Sequence, residues 1–180
     1  MADNNVIVKT LRDNTGLVSH AELKRILSYD PDAGIFTWLV NRGGKASSGA
    51  EAGHTSKYTG YHNVKINGRN YPANRLAWFY MTGEWPINDI DHKDLNKTNN
   101  RWDNLRPATI SQNKGNISKH SNNTSGYKGV TWHKHRKMWA AKIGVNNKRI
   151  SLGYYHTPEE ASEAYKKASQ EYFGEFARFE

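Results

Sequence analysis

Four polar side chains lie between positions 91 and 113 in an order that suits the hydrolysis of a phosphodiester. Asp91 is followed at once by His92, Asn104 begins a predicted strand, and Asn113 follows the run Thr109-Ile110-Ser111-Gln112. Such hydrolysis needs an activated water, neutralisation of the phosphate charge and stabilisation of the leaving alkoxide. The residue types and their spacing therefore predict a one-metal phosphodiesterase site.

Each of the four residue types has its own part in that chemistry. The imidazole of His92 titrates near neutral pH, so we expect it to be the general base. Asp91 offers a hard anionic oxygen and Asn113 a neutral amide oxygen, which together suit Mg²⁺ or Mn²⁺. Consecutive strand residues point to opposite faces, so Asp91 and His92 can approach one metal only where the strand ends or twists. We expect Asn104 to brace the intervening loop by side-chain to backbone hydrogen bonds and thereby to orient His92.

Arg106 has two open interpretations. It could meet the scissile phosphate, or it could only brace the hairpin; we favour the first and group Arg106 with His92 and Asn104 as the catalytic set. The other asparagines of this region are expected to form turns rather than to bind metal; these are Asn96, Asn99 and Asn100.

A long stretch without acidic residues follows the candidate site. Between Asn104 and Pro158 the sequence has no Asp or Glu, and the formal net charge of the 180-residue chain is +9. Concentrated positive charge favours a nucleic acid or an anionic membrane surface as the partner. The basic residues of the stretch are Arg106, Lys114, Lys119, Lys128, Lys134, Arg136, Lys137, Lys142, Lys148 and Arg149.

Composition excludes several other kinds of site. The sequence contains no Cys, so disulfides, thiolate zinc sites and Cys nucleophiles are all absent and any metal must be held by oxygen or imidazole. No apolar run approaches the roughly 20 residues of a spanning helix, and the N-terminus lacks the features of a signal peptide. We therefore expect a cytoplasmic protein with no membrane partner and no small-molecule cofactor, and we take it to be a monomer.

The sequence predicts two small domains joined by a polar linker. Residues 1–18 are polar and aperiodic and are expected to form a flexible tail. The first domain is predicted at 19–117, the linker at 118–124, which is rich in Ser and Asn, and the second domain at 125–180.

Periodicity and turn residues place the elements of the first domain. A helix is predicted after Ser19, whose capping box would close with Glu22, and is expected to end near Ser28. The later elements are a strand ending at Trp38, a loop over 43–53, a hairpin at Asn67-Gly68, a helix from Asn74 to Gly83, strands around Ile90 and over 104–106, and a helix that starts at a Thr109/Gln112 cap.

The second domain is predicted to be a three-stranded sheet with one helix. The strands are expected at 130–133, 139–145 and 148–152, with a turn at Asn146-Asn147. Thr157, Pro158 and Glu160 together mark the start of an amphipathic helix.

The first domain carries a series of short motifs in a definite order: Asn74-Arg75-Leu76-Ala77-Trp78, Gly83-Glu84-Trp85-Pro86, Ile90-Asp91-His92, Asn99-Asn100-Arg101, Asn104-Leu105-Arg106, Ala108-Thr109 and Gln112-Asn113. In these motifs and their order it resembles the HNH nucleases that are common in phage genomes and mobile introns. The similarity covers about 22–116. It implies a ββα-metal site in which His92 is the general base, Asp91 and Asn113 bind the divalent metal and Asn104 has a structural role. Relatives usually have His at the position of Asn74.

The second domain also carries a series of short motifs: Ser125-Gly126-Tyr127-Lys128-Gly129-Val130, Trp139-Ala140-Ala141-Lys142-Ile143, Leu152-Gly153-Tyr154-Tyr155, Thr157, Glu159-Glu160-Ala161 and Ala164-Tyr165. In these it is similar to the Apetala-type domain of plant ethylene-response factors, which also occurs behind phage HNH endonucleases. The resemblance covers about 125–179. It implies a sheet that lies in the DNA major groove. The implied contacts are Lys128, Trp132, His133, Lys134, Arg136, Lys142, Lys148 and Arg149. Plant domains carry Arg where this chain has Lys128 and Thr131, so their target sequence does not transfer, because only Arg reads guanine with a bidentate fork.

Together these features predict an α+β protein with a ββα-metal HNH nuclease domain followed by a three-stranded antiparallel sheet packed on one helix. The expected activity is metal-dependent hydrolysis of double-stranded DNA by a homing-type or free-standing phage endonuclease with one Mg²⁺ or Mn²⁺. The alternative is a sequence-specific DNA-binding regulator whose nuclease domain is inactive. A third possibility, RNA binding by the basic half, lacks an aromatic signature.

Overall fold

A computed structural model describes residues 16–43, 46–119 and 121–179. Most of the predicted tail, residues 1–15, lies outside the described residues. Contacts divide the chain into two compact units, Met1–Pro107 and Ala108–Glu180. This division comes earlier in the chain than the predicted end of the first domain at 117, because Gly115 packs against the ring of Phe173 in the second unit. The domain limits and the linker remain predictions.

In its described residues, 16–43 and 46–107, the first unit contains short strands and two helices. Strands β1 and β2 form an antiparallel pair, β3, β4 and β5 form an antiparallel sheet in that order, and β6 lies beside β7. The elements are α1 (His20–Ile26), β1 (Leu27–Asp30), β2 (Ile35–Trp38), β3 (His54–Thr55), β4 (His62–Ile66), β5 (Arg69–Pro72), α2 (Ala73–Thr82), β6 (Asp89–His92), a 3-10 turn (Trp102–Asn104) and β7 (Leu105–Ala108).

Helix α1 begins where the sequence predicted and ends earlier than expected. The hydroxyl of Ser19 accepts from the backbone N–H of Glu22 at 3.2 Å. The Glu22 carboxylate pairs with Arg25 at 2.8 Å. The predicted continuation to Ser28 is wrong, because Leu27 leaves the helix to pair with Trp38 across β1 and β2. Leu27 is completely buried, so burial in the sheet outweighs its helical propensity.

Two turn residues set the shape of the next part of the unit. Asn67 and Gly68 have φ of 50° and 86°, which are the values that a type I′ turn requires, and the predicted hairpin of β4 and β5 is confirmed. Gly83 ends α2 with φ of 79°, as predicted. Leu23, Leu27, Val64 and Leu76 are fully buried in the hydrophobic core of this unit.

The second unit contains a short helix, a sheet and a long helix. Its elements are α3 (Ile110–Asn116), β8 (Val130–His133), β9 (Met138–Val145), β10 (Lys148–Tyr155), α4 (Pro158–Phe173) and a 3-10 turn (Gly174–Phe176). The sheet is antiparallel with the order β10-β9-β8, which confirms the predicted three strands. Thr157 and Glu160 form the expected capping box of α4.

Helix α4 packs on one face of this sheet. Val130 and Ala141 form a buried cluster with Ala161 of the helix. Gly129 has φ of 73°, and a Cβ there would overlap the ring of Tyr165, so glycine is required for the helix to approach. Directly opposed residues share a face. The pairs Val130–Ala141, Trp132–Trp139 and Ile150–Ile143 therefore face the helix.

The other side of the sheet is called the open face. It carries Thr131, His133, Lys142, Arg149 and Tyr154, because their partners across the sheet alternate with the helix-facing pairs. A register shift between Ser151 and Gly153 keeps Leu152 and Tyr155 packed on the helix side. In the part of the chain that the structure describes, no helix is both long and apolar enough to cross a membrane.

Candidate functional site

Asp91 and His92 are the last two residues of β6, and both are buried. Their exposed fractions are 8% and 4%, although consecutive strand residues normally alternate. The side chain of Asn74, at the start of α2, donates from Nδ2 to the carbonyl of Ile90 at 2.7 Å. Helix α2 thus fixes the backbone immediately before the pair, and the strand ends at His92.

The carboxylate of Asp91 is paired with Arg106 on the neighbouring strand. Arg106 Nε donates to Asp91 Oδ2 at 3.0 Å, and the two side chains are only 11% and 9% exposed. A guanidinium in this position holds the carboxylate in one orientation. Of the two interpretations of Arg106, bracing the hairpin fits this contact, and its contact with a phosphate remains a prediction.

The imidazole of His92 is in a closed environment. Its Nε2 lies 3.1 Å from Oδ1 of Asn100, and its ring centroid is 5.9 Å from that of Tyr61. Burial lowers the pKa of His92 below its usual value, and the hydrogen bond to Asn100 opposes this shift without reversing it. The neutral imidazole is therefore favoured, which is the form that a general base requires.

Asn104 makes three hydrogen bonds to the loop that connects β6 and β7. Its Oδ1 accepts from the backbone N–H of Asp94 at 3.1 Å, while Nδ2 donates to Asp94 Oδ1 at 2.9 Å and to the carbonyl of Asn99 at 2.8 Å. Burial acts to raise the pKa of Asp94, but the hydrogen bonds that its carboxylate accepts from Asn99, Asn104 and the backbone N–H of Asn96 outweigh burial, and the pKa is lowered. The contacts are of the kind that the sequence predicted for Asn104.

The remaining asparagines of the loop differ in what they contact. Asn96 accepts from the backbone of Thr98 at 3.1 Å, as a turn residue does. Asn100 also bonds within the loop, but it is 3% exposed and contacts His92 directly. Sequence reasoning treated Asn100 only as a turn former. Its place in the Asn99-Asn100-Arg101 motif was the signal that could have indicated more.

Asn113 lies in α3, where the sequence placed it. Thr109 and Gln112 form the predicted capping box, and the backbone N–H of Asn113 donates to the carbonyl of Thr109 at 2.9 Å. By contacts this helix belongs to the second unit, while Asp91, His92, Asn104 and Arg106 belong to the first. The role of Asn113 as a metal ligand remains a prediction.

The donor types decide which metal could fit. Across residues 16–43, 46–119 and 121–179, no group of three or more His, Cys, Asp or Glu side chains could hold an ion. A carboxylate oxygen such as that of Asp91 and the amide oxygen of an asparagine are donor types that suit Mg²⁺ or Mn²⁺.

Most of the predicted DNA contacts lie on the open face or at its turns. His133 and Lys142 are half-buried on this face and Arg149 is exposed. The guanidinium of Arg136 stacks 4.6 Å from the ring centroid of Tyr154. Lys134 is exposed in the turn between β8 and β9. Lys148 is exposed at the first position of β10, where it pairs with Val145 on the helix side.

Two more of the predicted DNA contacts, like Lys148, lie away from the open face. Lys128 is 9% exposed, and its ammonium donates to the carbonyls of Gly115, Ile117 and Arg178 at 2.7, 2.6 and 3.2 Å. Trp132 faces the helix side with Trp139, and their ring centroids are 5.2 Å apart. Lys128 therefore connects the backbone near 115–117 to that at Arg178 within its own unit. Trp132 lies on the side of the sheet opposite the open face.

Comparison with known families matches both halves of the chain. A model of the HNH endonuclease family matches residues 71–114, and a model of the AP2 domain matches residues 125–175. Protein 3.8 of Escherichia phage T7 is 37% identical over 90 residues, which are 50% of this chain and 74% of that protein.

Two further relatives match part of the chain. An uncharacterized HNH endonuclease of Acanthamoeba polyphaga mimivirus is 39% identical over 97 residues, 49% of this chain and 44% of that protein. An ethylene-responsive transcription factor of Arabidopsis thaliana is 46% identical over 56 residues, 30% of this chain and 13% of that factor. The order of the matches along this chain is HNH first and AP2 second.

Proposed function

The chain belongs to the HNH endonuclease family and carries an AP2 domain behind its HNH region, and on this basis we propose that it is a metal-dependent endonuclease that hydrolyses phosphodiester bonds in double-stranded DNA. One observation carries the proposal. Within the HNH match, a buried His92 and a buried Asp91 end the same strand, and another side chain bonds each of them. We further propose a homing-type or free-standing phage enzyme that acts in the cytoplasm.

His92 has the properties of the general base. Its buried imidazole is kept neutral by its lowered pKa, so it can accept the proton of the attacking water at neutral pH. Asn104 holds the loop that leads away from His92 through three hydrogen bonds. A fixed loop keeps the ring in one place while the proton moves, which preserves the alignment that the attack needs.

Asp91 and Asn113 are assigned as metal ligands. Arg106 fixes the Asp91 carboxylate from the adjacent strand, and Asn113 lies within the HNH match, where the family resemblance implies an amide ligand. When bound, Mg²⁺ or Mn²⁺ would neutralise charge on the phosphate and on the leaving 3′-oxygen. In this assignment Arg106 acts through Asp91 and is a positioning residue.

The open face is proposed as the DNA-binding surface of the AP2 domain. Lys142 and Arg149 project from it, and Arg136 stacks on Tyr154 at its edge. Positive charges of this kind contact phosphates and make affinity depend on salt. His133 on the same face and Lys134 in the adjoining turn extend the surface. Lys128 is left out because it is buried, and Trp132 and Lys148 because their strand positions face the helix side.

Incubation of the purified chain with supercoiled plasmid tests this proposal. Nicked or linear product should form with Mg²⁺ or Mn²⁺ and should vanish with a chelator. A protein that binds duplex DNA in a mobility-shift assay but cuts in no divalent metal would instead be the regulator with an inactive nuclease domain. Competition by duplex RNA as effective as that by duplex DNA would contradict DNA as the substrate.

A further inference from the structure

The side-chain amide of Asn100 is held in one orientation by a hydrogen bond within its own loop. Its Nδ2 donates to the carbonyl of Thr98 at 3.2 Å, so Oδ1 is the atom that points at the imidazole, 3.1 Å from Nε2. An amide oxygen can only accept. His92 must therefore donate from Nε2, and in the neutral ring the lone pair lies on Nδ1.

The backbone of Asn100 is fixed by the turn of the β1–β2 hairpin. The hydroxyl of Tyr29 donates to the Asn100 carbonyl at 2.6 Å with both groups buried. The backbone N–H of Trp102 donates to the carbonyl of Pro31 at 2.9 Å. These two bonds attach the Asn100–Trp102 segment to the hairpin on both sides of Arg101.

Gly34 allows this close approach. It has φ of 73°, and a Cβ on it would overlap the backbone nitrogen of Arg101 and lie 2.5 Å from the carbonyl carbon of Asn100. Any side chain at position 34 would push the hairpin away from the loop. The β1–β2 hairpin is therefore shaped to contact the backbone that carries Asn100.

The hairpin lies outside the HNH match, which begins at residue 71. We propose that Asn100 is the positioning residue that selects the Nε2–H tautomer of His92, and that Tyr29 and Gly34 of the β1–β2 hairpin hold Asn100 in that position. The consequence for cleavage rests on the proposed function, whereas the tautomer does not. The β1–β2 hairpin therefore helps to position His92, in addition to contributing to the core.

The tautomer can be measured without metal or substrate. Full-length protein labelled with ¹⁵N-histidine is examined by NMR at mildly alkaline pH, and His92→Gln identifies the His92 signals. The wild type should give the shift pattern of an Nε2–H imidazole. Asn100→Ala should give a mixture of the two tautomers, while Asn100→Asp keeps an acceptor and should restore the Nε2–H form. Asn88→Ala, at an exposed position of the same unit, is the matched control and should leave the pattern unchanged.

Cleavage kinetics test the consequence for catalysis. Asn100→Ala should lower kcat by about ten- to a hundredfold with KM unchanged, the range found when a residue that orients a ligand or base is removed. Asn100→Asp should recover part of this loss. Tyr29→Phe, which removes one hydroxyl and preserves packing, should lower kcat less, and Tyr58→Phe, at a fully exposed position, should have no effect.

The outcomes separate this inference from the nuclease proposal. An unchanged Nε2–H tautomer and an unchanged kcat in a folded Asn100→Ala would overturn the role of Asn100. An unchanged tautomer in Asn100→Ala with reduced kcat would also overturn it, since the loss would then have another cause. A wild-type protein with the expected tautomer that cuts no DNA would refute the proposed function and leave the contact between Asn100 and His92 supported.

Discussion

Arg106 Nε donates to Asp91 Oδ2 at 3.0 Å across the two strands that frame the candidate site, and both side chains are nearly buried. The pair explains how a buried carboxylate is held in one orientation between the two strands. A buried carboxylate that loses its cation has little water to replace it. The ion pair therefore connects the stability of the hairpin to the geometry of the site.

Removal of the Arg106 charge should destabilise the protein strongly. Arg106→Gln leaves Asp91 buried without its cation, and we expect a loss of about 3 kcal/mol in the free energy of unfolding, measured by denaturant titration. Arg101→Gln is the matched control, because Arg101 pairs with Asp103 at 3.6 Å with side chains 50% and 76% exposed. Its cost should stay below about 1 kcal/mol. Equal losses in the two variants would contradict the importance of the buried pair.

Glycine substitutions test the contact between the hairpin turn and the loop. Gly34 and Gly68 both have positive φ, but only at Gly34 would a Cβ meet other atoms; at Gly68 nothing lies within 4 Å. Gly68→Ala should cost about 1–2 kcal/mol for the left-handed backbone alone. Gly34→Ala should cost clearly more in thermal or denaturant unfolding, because the Asn100–Arg101 backbone must also move. Indistinguishable costs would mean that the loop does not rest on the hairpin.

The buried ammonium of Lys128 should make stability depend on alkaline pH. Burial is the larger of the causes that lower the pKa of Lys128 from 10.5 to about 8, and Arg178 adds to it. Below about pH 8 both folded and unfolded chains carry the charge. Between the two pKa values the folded chain releases its proton first, so stability gains up to about 3 kcal/mol as the pH rises through this window.

Lys128→Met lacks this titration. The free energy of unfolding of the wild type relative to Lys128→Met should therefore rise between about pH 8 and about pH 10.5. The exposed Lys148→Met serves as the control and should show no such pH-dependent difference. A difference between wild type and Lys128→Met that stays constant with pH would refute the assignment.

Charge removal on the open face should weaken DNA binding. Lys142→Ala and Arg149→Ala each remove one cation from the face opposite α4, and each should lower affinity and reduce the slope of log K against log salt by about one. Lys167→Ala removes the same charge from the exposed side of α4 and should have a much smaller effect. Fluorescence anisotropy over a salt series measures all three, and equal effects would exclude the open face as the interface.

Local sequence signals predicted those parts of the fold that depend on neighbouring residues. Short-range chemistry sets the Asn67-Gly68 turn and the end of α2 at Gly83. It also sets the capping boxes at the start of α3 and of α4. Strand β1 was missed, because Leu27 and Tyr29 also continue a helical pattern and only pairing with β2 decides between the two. Long-range pairing is not visible in a local pattern.

The contacts of the candidate site were less predictable than its residues. The types and order of the residues indicated the chemistry at Asp91, His92 and Asn104. The hydrogen bond between His92 and Asn100 was not predictable, because it depends on a loop that is bonded to Tyr29, 71 positions earlier in the chain. Lys128 could not be distinguished from the exposed basic residues, because the sequence does not indicate which lysine is buried. These are consequences of tertiary contacts.

The most direct test of the account compares metal-dependent cleavage of duplex DNA by the wild type and by His92→Ala. His54→Ala, at an exposed position of the same unit, is the matched control, and DNA affinity is measured for all three proteins. The account predicts that His92→Ala binds DNA as the wild type does but cleaves it at least about a hundredfold more slowly, as loss of a general base requires, while His54→Ala is unaffected. Cleavage by a folded His92→Ala at the wild-type rate would contradict it.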